Sequence, residues 1–181
     1  MKHLALVIDW YGPYTYNEGF EASKDDYSAG LYVGMGKCLS DSGPSKPQYI
    51  GISKDLWGRL KHHHKLPEIT GDTKLWLGEV ANFEPPGKRR KSTSTSLDYA
   101  EWLHAYFLQL PLNTKKKINP PDRSVTVLNR WWKKDYETPW VKRPHPLWPD
   151  LIDFIDVEYP AKAVWFGKNQ KRFKPPFLLG K

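Results

Sequence analysis

The sequence predicts an α/β fold of the α+β sandwich type: a small, mainly antiparallel sheet flanked by helices, followed by a basic C-terminal extension. Two β-rich runs over residues 30–34 and 47–52 are separated by a turn-rich segment over 37–46, which predicts an antiparallel hairpin. Apolar residues recur at helical spacing over 100–110. The 181 residues are enough to bury a substantial core around these elements.

The first strand and the first helix follow from local signals. An apolar run over residues 4–8 predicts a buried strand that ends in a turn over 9–13. Residues 14–28 show no clear period and are predicted to form a loop. Ser53 is a natural N-cap, so a helix is predicted from there to about Lys65, directly after the hairpin.

The next segment predicts one more strand, a basic loop and a second helix. Residues 75–81 are predicted as the third strand of the main sheet. The second helix should begin at residues 95–96, after the loop, with Asp98 placed for a capping interaction, and end before Pro111. Its core face consists of four apolar residues at helical spacing: Ala100, Leu103, Phe107 and Leu110. Glu101 therefore borders the core and can reach a cleft over the sheet.

Beyond Asn113 the chain is rich in proline, with nine of its sixteen prolines. Such a composition favours short elements, and the patterns predict a helix over 125–133 and a strand over 161–166. No internal repeat is visible in the sequence.

The net charge of +8 is concentrated in the last 68 residues. Residues 1–113 contain 13 Lys and Arg against 13 Asp and Glu, whereas residues 114–181 contain 15 against 7. We therefore divide the chain into a body over 1–115 and a basic, Trp- and Pro-rich extension over 116–181 that packs on it. A basic segment attracts polyphosphate backbones, although charge alone also fits an ordinary solvated surface.

Composition excludes several classes of protein. No apolar run approaches the roughly 18 residues that a membrane span needs, and residues 4–8 are too few for a signal-peptide core. Cys38 is the only cysteine, which excludes an intrachain disulfide and a cysteine-based zinc site. We expect a cytoplasmic protein without a membrane partner.

Two tripeptides and a basic helix carry a family resemblance. The chain contains Gly30-Leu31-Tyr32, then Tyr49-Ile50-Gly51, then Arg59 and His63 four residues apart on the predicted helix. Glu101 and, twelve residues further on, Asn113 complete the series. These positions, in this order, resemble the GIY-YIG nucleases over residues 29–115, roughly half of the chain. The chain departs from many members in the longer loop between the two tripeptides.

The resemblance implies a metal-dependent endonuclease and a role for each residue. Glu101 would be the metal-binding acid for Mg²⁺ or Mn²⁺, with one ion per site. The family favours Tyr32 as general base, with Tyr49 and His63 orienting water and phosphate, and Asn113 completes the set. Reasoning from the residues leaves Tyr32, Tyr49 and His63 all open as the base.

Elementary chemistry fits the same residues. Arg59 keeps its charge and can grip two phosphate oxygens. Glu101 can hold a hard cation that takes oxygen ligands. A free tyrosine has a pKa near ~10, so a tyrosine base needs nearby positive charge to act near neutral pH.

Basic residues around this set are the candidates for contact with double-stranded DNA. They are Lys61, Lys88, Arg89, Arg90, Lys91, Lys115, Lys116, Lys117, Lys133 and Lys134. A two-fold homodimer would match the opposite polarity of the two strands, and a monomer that dimerises only on DNA remains open as well. The choice between DNA and RNA also stays open.

Three readings compete with a restriction-type enzyme. One is a homing or phage-borne nicking nuclease, and the second is a non-enzymatic nucleic-acid-binding module that keeps the fold. The third is a structural or interaction protein, in which the motif positions are coincidental. We favour the restriction type because no separate zinc finger or helix-turn-helix module is evident after residue 115.

Overall fold

The structure, a computed structural model, describes residues 3–82, 86–87 and 92–174. Its strands are β1 (Leu4–Tyr14), β2 (Gly30–Cys38), β3 (Lys46–Ser53), β4 (Ile69–Val80), β5 (Val125–Trp132), β6 (Leu151–Phe154), β7 (Ala161–Trp165) and β8 (Asn169–Phe173). Its helices are α1 (Tyr16–Asp25), α2 (Leu56–Lys61) and α3 (Ser94–Leu108), with a 3₁₀ turn over Leu66–Glu68.

The predicted small, mainly antiparallel sheet between helices is wrong. The described residues form one sheet of eight strands in the order β3-β2-β4-β1-β5-β6-β7-β8, and it curls into a half-barrel with few helices. The sheet is mixed, because β1 pairs in parallel with β5, from Leu4 opposite Val125 to Tyr11 opposite Trp132. The larger sheet arises because the C-terminal segment adds four strands beyond β1.

Two local predictions also fail. The expected loop over 14–28 contains the helix α1. Thr15 is its N-cap and forms a capping box with Glu18. The expected helix over 125–133 is β5, whose side chains alternate between the two faces of the sheet. The hairpin of β2 and β3 and the strand β7 are confirmed. β1 runs past the predicted turn to Tyr14.

Two apolar clusters lie on the two faces of the sheet. On one face, Leu97, Ala100 and Leu103 of α3 pack in a cluster that includes Val33 and Ile50. On the other face, α2 contributes Leu56 and Leu60 to a cluster that includes Tyr32. The side chains of β2 alternate between these clusters, as a strand requires. Tyr32 therefore faces α2 and lies away from the α3 cluster.

The segment after residue 115 shares the sheet with the rest of the chain. β5 hydrogen-bonds β1, and Trp131 and Trp148 pack with Trp10 in the same buried cluster. The division into two domains at residue 115 stays a prediction. None of the helices in the described part of the chain has the length and apolar character needed to cross a membrane.

Candidate active site

A cleft of about 410 Å³ lies at the β3 edge of the sheet. Strand β3 is the terminal strand, so α2 on one face and α3 on the other approach each other around it. The lining includes five of the six predicted catalytic residues: Tyr32, Tyr49, Arg59, Glu101 and Asn113. The structure thus brings together side chains from β2, β3, α2, α3 and the segment after α3.

The two tripeptides meet as neighbouring strands. Tyr32 of β2 is opposite Gly51 of β3, and a Cβ at Gly51 would overlap the Tyr32 hydroxyl. The rings of Tyr32 and Tyr49 lie 5.9 Å apart, centroid to centroid. Gly51 is therefore needed because the Tyr32 ring occupies the space that any side chain would fill.

His63 lies behind the tyrosines. The helix predicted to reach Lys65 ends at Lys61, and the chain then turns, so the backbone amides of Lys65 and Leu66 donate to His63 Nδ1 at 3.1 and 2.9 Å. His63 Nε2 lies 3.0 Å from the Tyr32 hydroxyl. Amides can only donate, so Nδ1 is the acceptor, and Nε2–H of the neutral ring donates to Tyr32.

Burial decides the protonation of these groups. It lowers the pKa of His63 to about 4, with smaller contributions from His64 and Arg59, so the ring is neutral at neutral pH. Burial also raises the pKa of Tyr32 strongly, while Arg59 opposes that shift. Burial also raises the pKa of Tyr49, and a hydrogen bond from Tyr32 opposes part of that rise. Both hydroxyls are protonated at neutral pH in the free protein.

Arg59 lines the cleft together with both tyrosines. It is the fourth residue of α2, whose N-cap is Asp55 and not the predicted Ser53; the Asp55 carboxylate accepts from the Gly58 amide at 3.0 Å. Arg59 is solvent-exposed. Burial raises the pKa of Tyr32, Tyr49 and Glu101, and the charge of Arg59 opposes that rise in all three. One guanidinium thus acts on both hydroxyls and on the carboxylate.

Glu101 lies on the opposite wall and is already paired. Its Oε2 accepts a short hydrogen bond from Lys116 Nζ, which also donates to Asp98 Oδ1 at 2.6 Å. Burial raises the pKa of Glu101, and Lys116 opposes that shift. Asp98 and Glu101 are three residues apart on α3, which places both carboxylates on one face of the helix.

The Asn113 side chain completes the edge of the sheet. Its Oδ1 accepts from the Ile50 amide at 2.9 Å, and its Nδ2 donates to the Ile50 carbonyl at 2.8 Å. Leu112 adds a backbone bond to Gln48 at 2.9 Å. Asn113 thereby replaces a neighbouring strand for β3, and this geometry gives it a positioning role for the tripeptide that carries Tyr49.

The predicted DNA-contacting residues fall into separate groups. Lys115 and Lys116 line the cleft. Lys117 donates to the Leu110 carbonyl at 2.8 Å, and Lys61 lies over the Trp57 ring. The next two lie on a different part of the surface: Lys133 over the Trp140 ring and Lys134 in an ion pair with Glu18. The remaining four lie outside the described residues: Lys88, Arg89, Arg90 and Lys91.

Two features of the site were missed from the sequence. Asp98 was assigned to capping, but Thr93 caps α3 and the Asp98 carboxylate faces the cleft. Its spacing of three residues from Glu101 was the available signal. The ion pair of Lys116 with the two acids had no signal, because it depends on the path of the chain after Asn113.

A comparison with protein-family models, with curated proteins and with solved structures found no match for this chain. The resemblance to the GIY-YIG nucleases therefore rests on the residues and geometry described above.

Proposed function

We propose that this chain is a metal-dependent endonuclease of the GIY-YIG type that hydrolyses phosphodiester bonds in double-stranded DNA. The observation that carries the proposal is the convergence of Tyr32, Tyr49, Arg59 and Glu101 on one cleft from four separate elements. Paired hydroxyls, a permanently charged guanidinium and a buried carboxylate are the groups that such a hydrolysis uses.

A neighbouring cleft supports a path for a nucleic-acid strand past Arg59. A second cleft of about 540 Å³ continues along the N-terminal part of α3 and shares Ile52, Arg59 and Asp98 with the first. Arg59 therefore borders both clefts. A strand that follows them would bring its phosphate to this guanidinium, which can bind two of the phosphate oxygens.

In the proposed reaction a water oxygen forms a bond to phosphorus, and the P–O3′ bond breaks. The water proton passes to the phenolate of one tyrosine, which has first lost its own proton to solvent, and the leaving 3′ oxygen takes up a proton from solvent. Arg59 stabilises the charge on the phosphate oxygens. His63 does not take the water proton, because its Nδ1 is held by two backbone amides and its Nε2–H donates to Tyr32. In this proposal His63 orients the Tyr32 hydroxyl.

Mg²⁺ or Mn²⁺, one ion per site, is the proposed cofactor. The donors fit a hard cation: Asp98 Oδ1, the Asp98 carbonyl and Glu101 Oε2 all converge on the Lys116 ammonium, and all are oxygens. No group of three or more His, Cys, Asp or Glu side chains suited to a metal occurs among the described residues. A bound divalent cation would supply positive charge that stabilises the leaving oxygen and lowers the pKa of a neighbouring hydroxyl.

We favour a restriction-type enzyme over a homing or phage-borne nicking nuclease. The described residues after position 115 form strands, and no helix-turn-helix pair occurs in residues 116–174. A homodimer, formed before or on DNA, and a cytoplasmic location stay predictions. The raised pKa of both tyrosines and the paired state of Glu101 favour one rival, a nucleic-acid-binding module without turnover.

Cleavage of supercoiled plasmid tests the proposal. We expect nicked or linear product with Mg²⁺ or Mn²⁺ and none with excess chelator. Glu101→Gln should reduce cleavage by at least about a hundredfold while keeping DNA binding, because it removes the charge of the acid that the resemblance assigns to the metal. Glu137→Gln, at an exposed acid outside the cleft, is the matched control and should cleave like the wild type.

The result can also refute the proposal. Undiminished cleavage by Glu101→Gln, or cleavage in chelator, would exclude the metal-dependent route. DNA binding without cleavage under every metal condition would support the binding module.

A further inference from the structure

The Lys116 ammonium lies inside the proposed metal site. It donates to Asp98 Oδ1 at 2.6 Å and to Glu101 Oε2, and the Asp98 carbonyl oxygen lies 3.3 Å away. The side chains of Lys116 and Glu101 are only 21% and 14% exposed. A single cation thus already occupies the space between two carboxylates.

The backbone of residues 113–116 directs the Lys116 side chain into the cleft. Lys116 has a φ of 61°, in the left-handed region that residues other than glycine and asparagine rarely adopt. Three residues earlier, Asn113 is fixed to the edge of β3 through both atoms of its amide. The segment from Asn113 to Lys116 is therefore anchored at one end and directs the lysine into the cleft at a cost in backbone strain.

We propose that Lys116 is an internal cation that closes the metal site, and that a divalent ion binds Asp98 and Glu101 only by displacing it. This inference rests on the proposed function and adds to it a second carboxylate ligand, Asp98, and a competing group, Lys116. Both carboxylates would ligate one ion, which agrees with the one or two carboxylates that Mg²⁺ usually takes from a protein.

Charge balance makes the two cations alternatives. Asp98 and Glu101 together carry two negative charges when both are ionised, and a divalent ion neutralises both. A divalent ion with the ammonium still between the carboxylates would place three positive charges within a few ångströms. The repulsion between cations at about 4 Å is strong in a partly buried site, so the ammonium must leave when the metal enters.

The test is Mn²⁺ binding by the full chain without DNA, measured by calorimetry. Lys116→Met removes the charge and keeps the length of the side chain, and Lys116→Gly also suits the left-handed backbone. We expect both variants to bind Mn²⁺ at least about tenfold more tightly than the wild type, a typical size for coupling between competing states. Lys142→Met is the matched control, because Lys142 is an exposed lysine that lines neither cleft. Its Mn²⁺ affinity should remain that of the wild type.

A second substitution tests the ligand role of Asp98. In the Lys116→Met background, adding Asp98→Asn should cancel the gain in Mn²⁺ affinity. Thermal unfolding without metal verifies that each variant is folded, and Lys116→Gly provides a folded substitute if Lys116→Met unfolds.

The outcomes separate this inference from the proposed function. Equal Mn²⁺ affinity of the wild type and both folded Lys116 variants overturns the inference, while Mg²⁺-dependent plasmid cleavage would still support the nuclease. An unchanged affinity after adding Asp98→Asn overturns the second ligand. Absence of Mn²⁺ binding by every variant overturns this inference, whereas absence of metal-dependent plasmid cleavage overturns the proposed function.

Discussion

The interactions among His63, Tyr32 and Tyr49 favour one tyrosine over the other as the general base of the proposed reaction. His63 Nε2–H donates to Tyr32, so the Tyr32 hydroxyl hydrogen is free to point to Tyr49. That bond stabilises the ionised form of Tyr49 and lowers its pKa, whereas burial raises the pKa of Tyr32 more strongly. The geometry therefore favours Tyr49, while the family resemblance favours Tyr32.

Two phenylalanine variants distinguish these assignments. Tyr49→Phe should lower kcat by about 10² or more, the usual contribution of a general base. Tyr32→Phe should retain more activity, but the alkaline rise in its kcat/KM should move to higher pH. The reason is that removing the Tyr32 donor raises the pKa of Tyr49.

A pH–rate profile of both variants provides the measurement. Complete loss of activity in Tyr32→Phe, together with near-normal turnover in Tyr49→Phe, would identify Tyr32 as the general base.

At the scale of residues, the sequence predicted side chains that the structure brings together in one cleft, but not the hydrogen bonds between them. The tripeptides, Arg59 and Glu101 could be selected because the resemblance gives their order. The orientation of His63 could not, because it depends on helix α2 ending at Lys61 and on the amides of Lys65 and Leu66 turning back towards the ring.

Helix α3 connects the site to the core of the protein. Its buried His104 donates from Nδ1 to the Ala100 carbonyl at 2.7 Å and accepts from Asn129 Nδ2 at 2.9 Å. Asn129 in turn accepts from Trp10 Nε1 at 2.8 Å. This network ties α3 to β1 and β5, so it holds the helix that carries Glu101 against the sheet.

Low pH should destabilise the packing of helix α3 against the sheet. Burial lowers the pKa of His104 to about 4, below the value of about 6.5 in an unfolded chain. The unfolded chain then binds more protons between these values, so the stabilising contribution is complete above pH 6.5 and is lost as the pH falls towards 4. The loss is about 3 kcal/mol for a group this deeply buried.

Urea unfolding at pH 7 and pH 4.5 measures this effect. His104→Gln keeps an acceptor but does not titrate, so its stability should fall less over this range than that of the wild type. Equal losses in the two proteins would show that other groups cause the acid sensitivity.

Two elements were mispredicted for identifiable reasons. In α1 the residues that face the sheet include Gly19 and Ser23, and such small residues give no apolar period. The capping box of Thr15 and Glu18 was nevertheless visible in the sequence. In β5, more and less buried residues alternate along the chain, as they do in a strand. Its β-branched residues also favour a strand over the predicted helix.

At the scale of the whole molecule, the basic C-terminal segment is part of the sheet. Strands β5 to β8 continue it from β1, and Trp10 packs against Trp131 and Trp148 with ring centroids 5.8 Å apart in both pairs. The number of strands could not be predicted from the sequence, because the pairing of β1 with β5 joins segments that are far apart in the chain.

Truncation after residue 120 should therefore abolish folding. It would remove four strands and expose the edge of β1 together with Trp10, so we expect no cooperative unfolding transition by circular dichroism or calorimetry. A double variant of two exposed lysines, Lys142→Gln and Lys168→Gln, is the control and should unfold cooperatively. A truncated chain with a sharp transition would support a separate domain over 1–115.

The parallel pair of β1 and β5 also has a consequence for the order of events during folding. β2, β3 and β4 are consecutive in the chain and adjacent in the sheet, so they can assemble through short loop closures. Leu4 meets Val125 only after a loop of about 120 residues has closed, which carries a larger entropic cost before any contact repays it. During synthesis, the strands that carry both tyrosines can pair early, whereas β1 obtains its second neighbour only after β5 has left the ribosome.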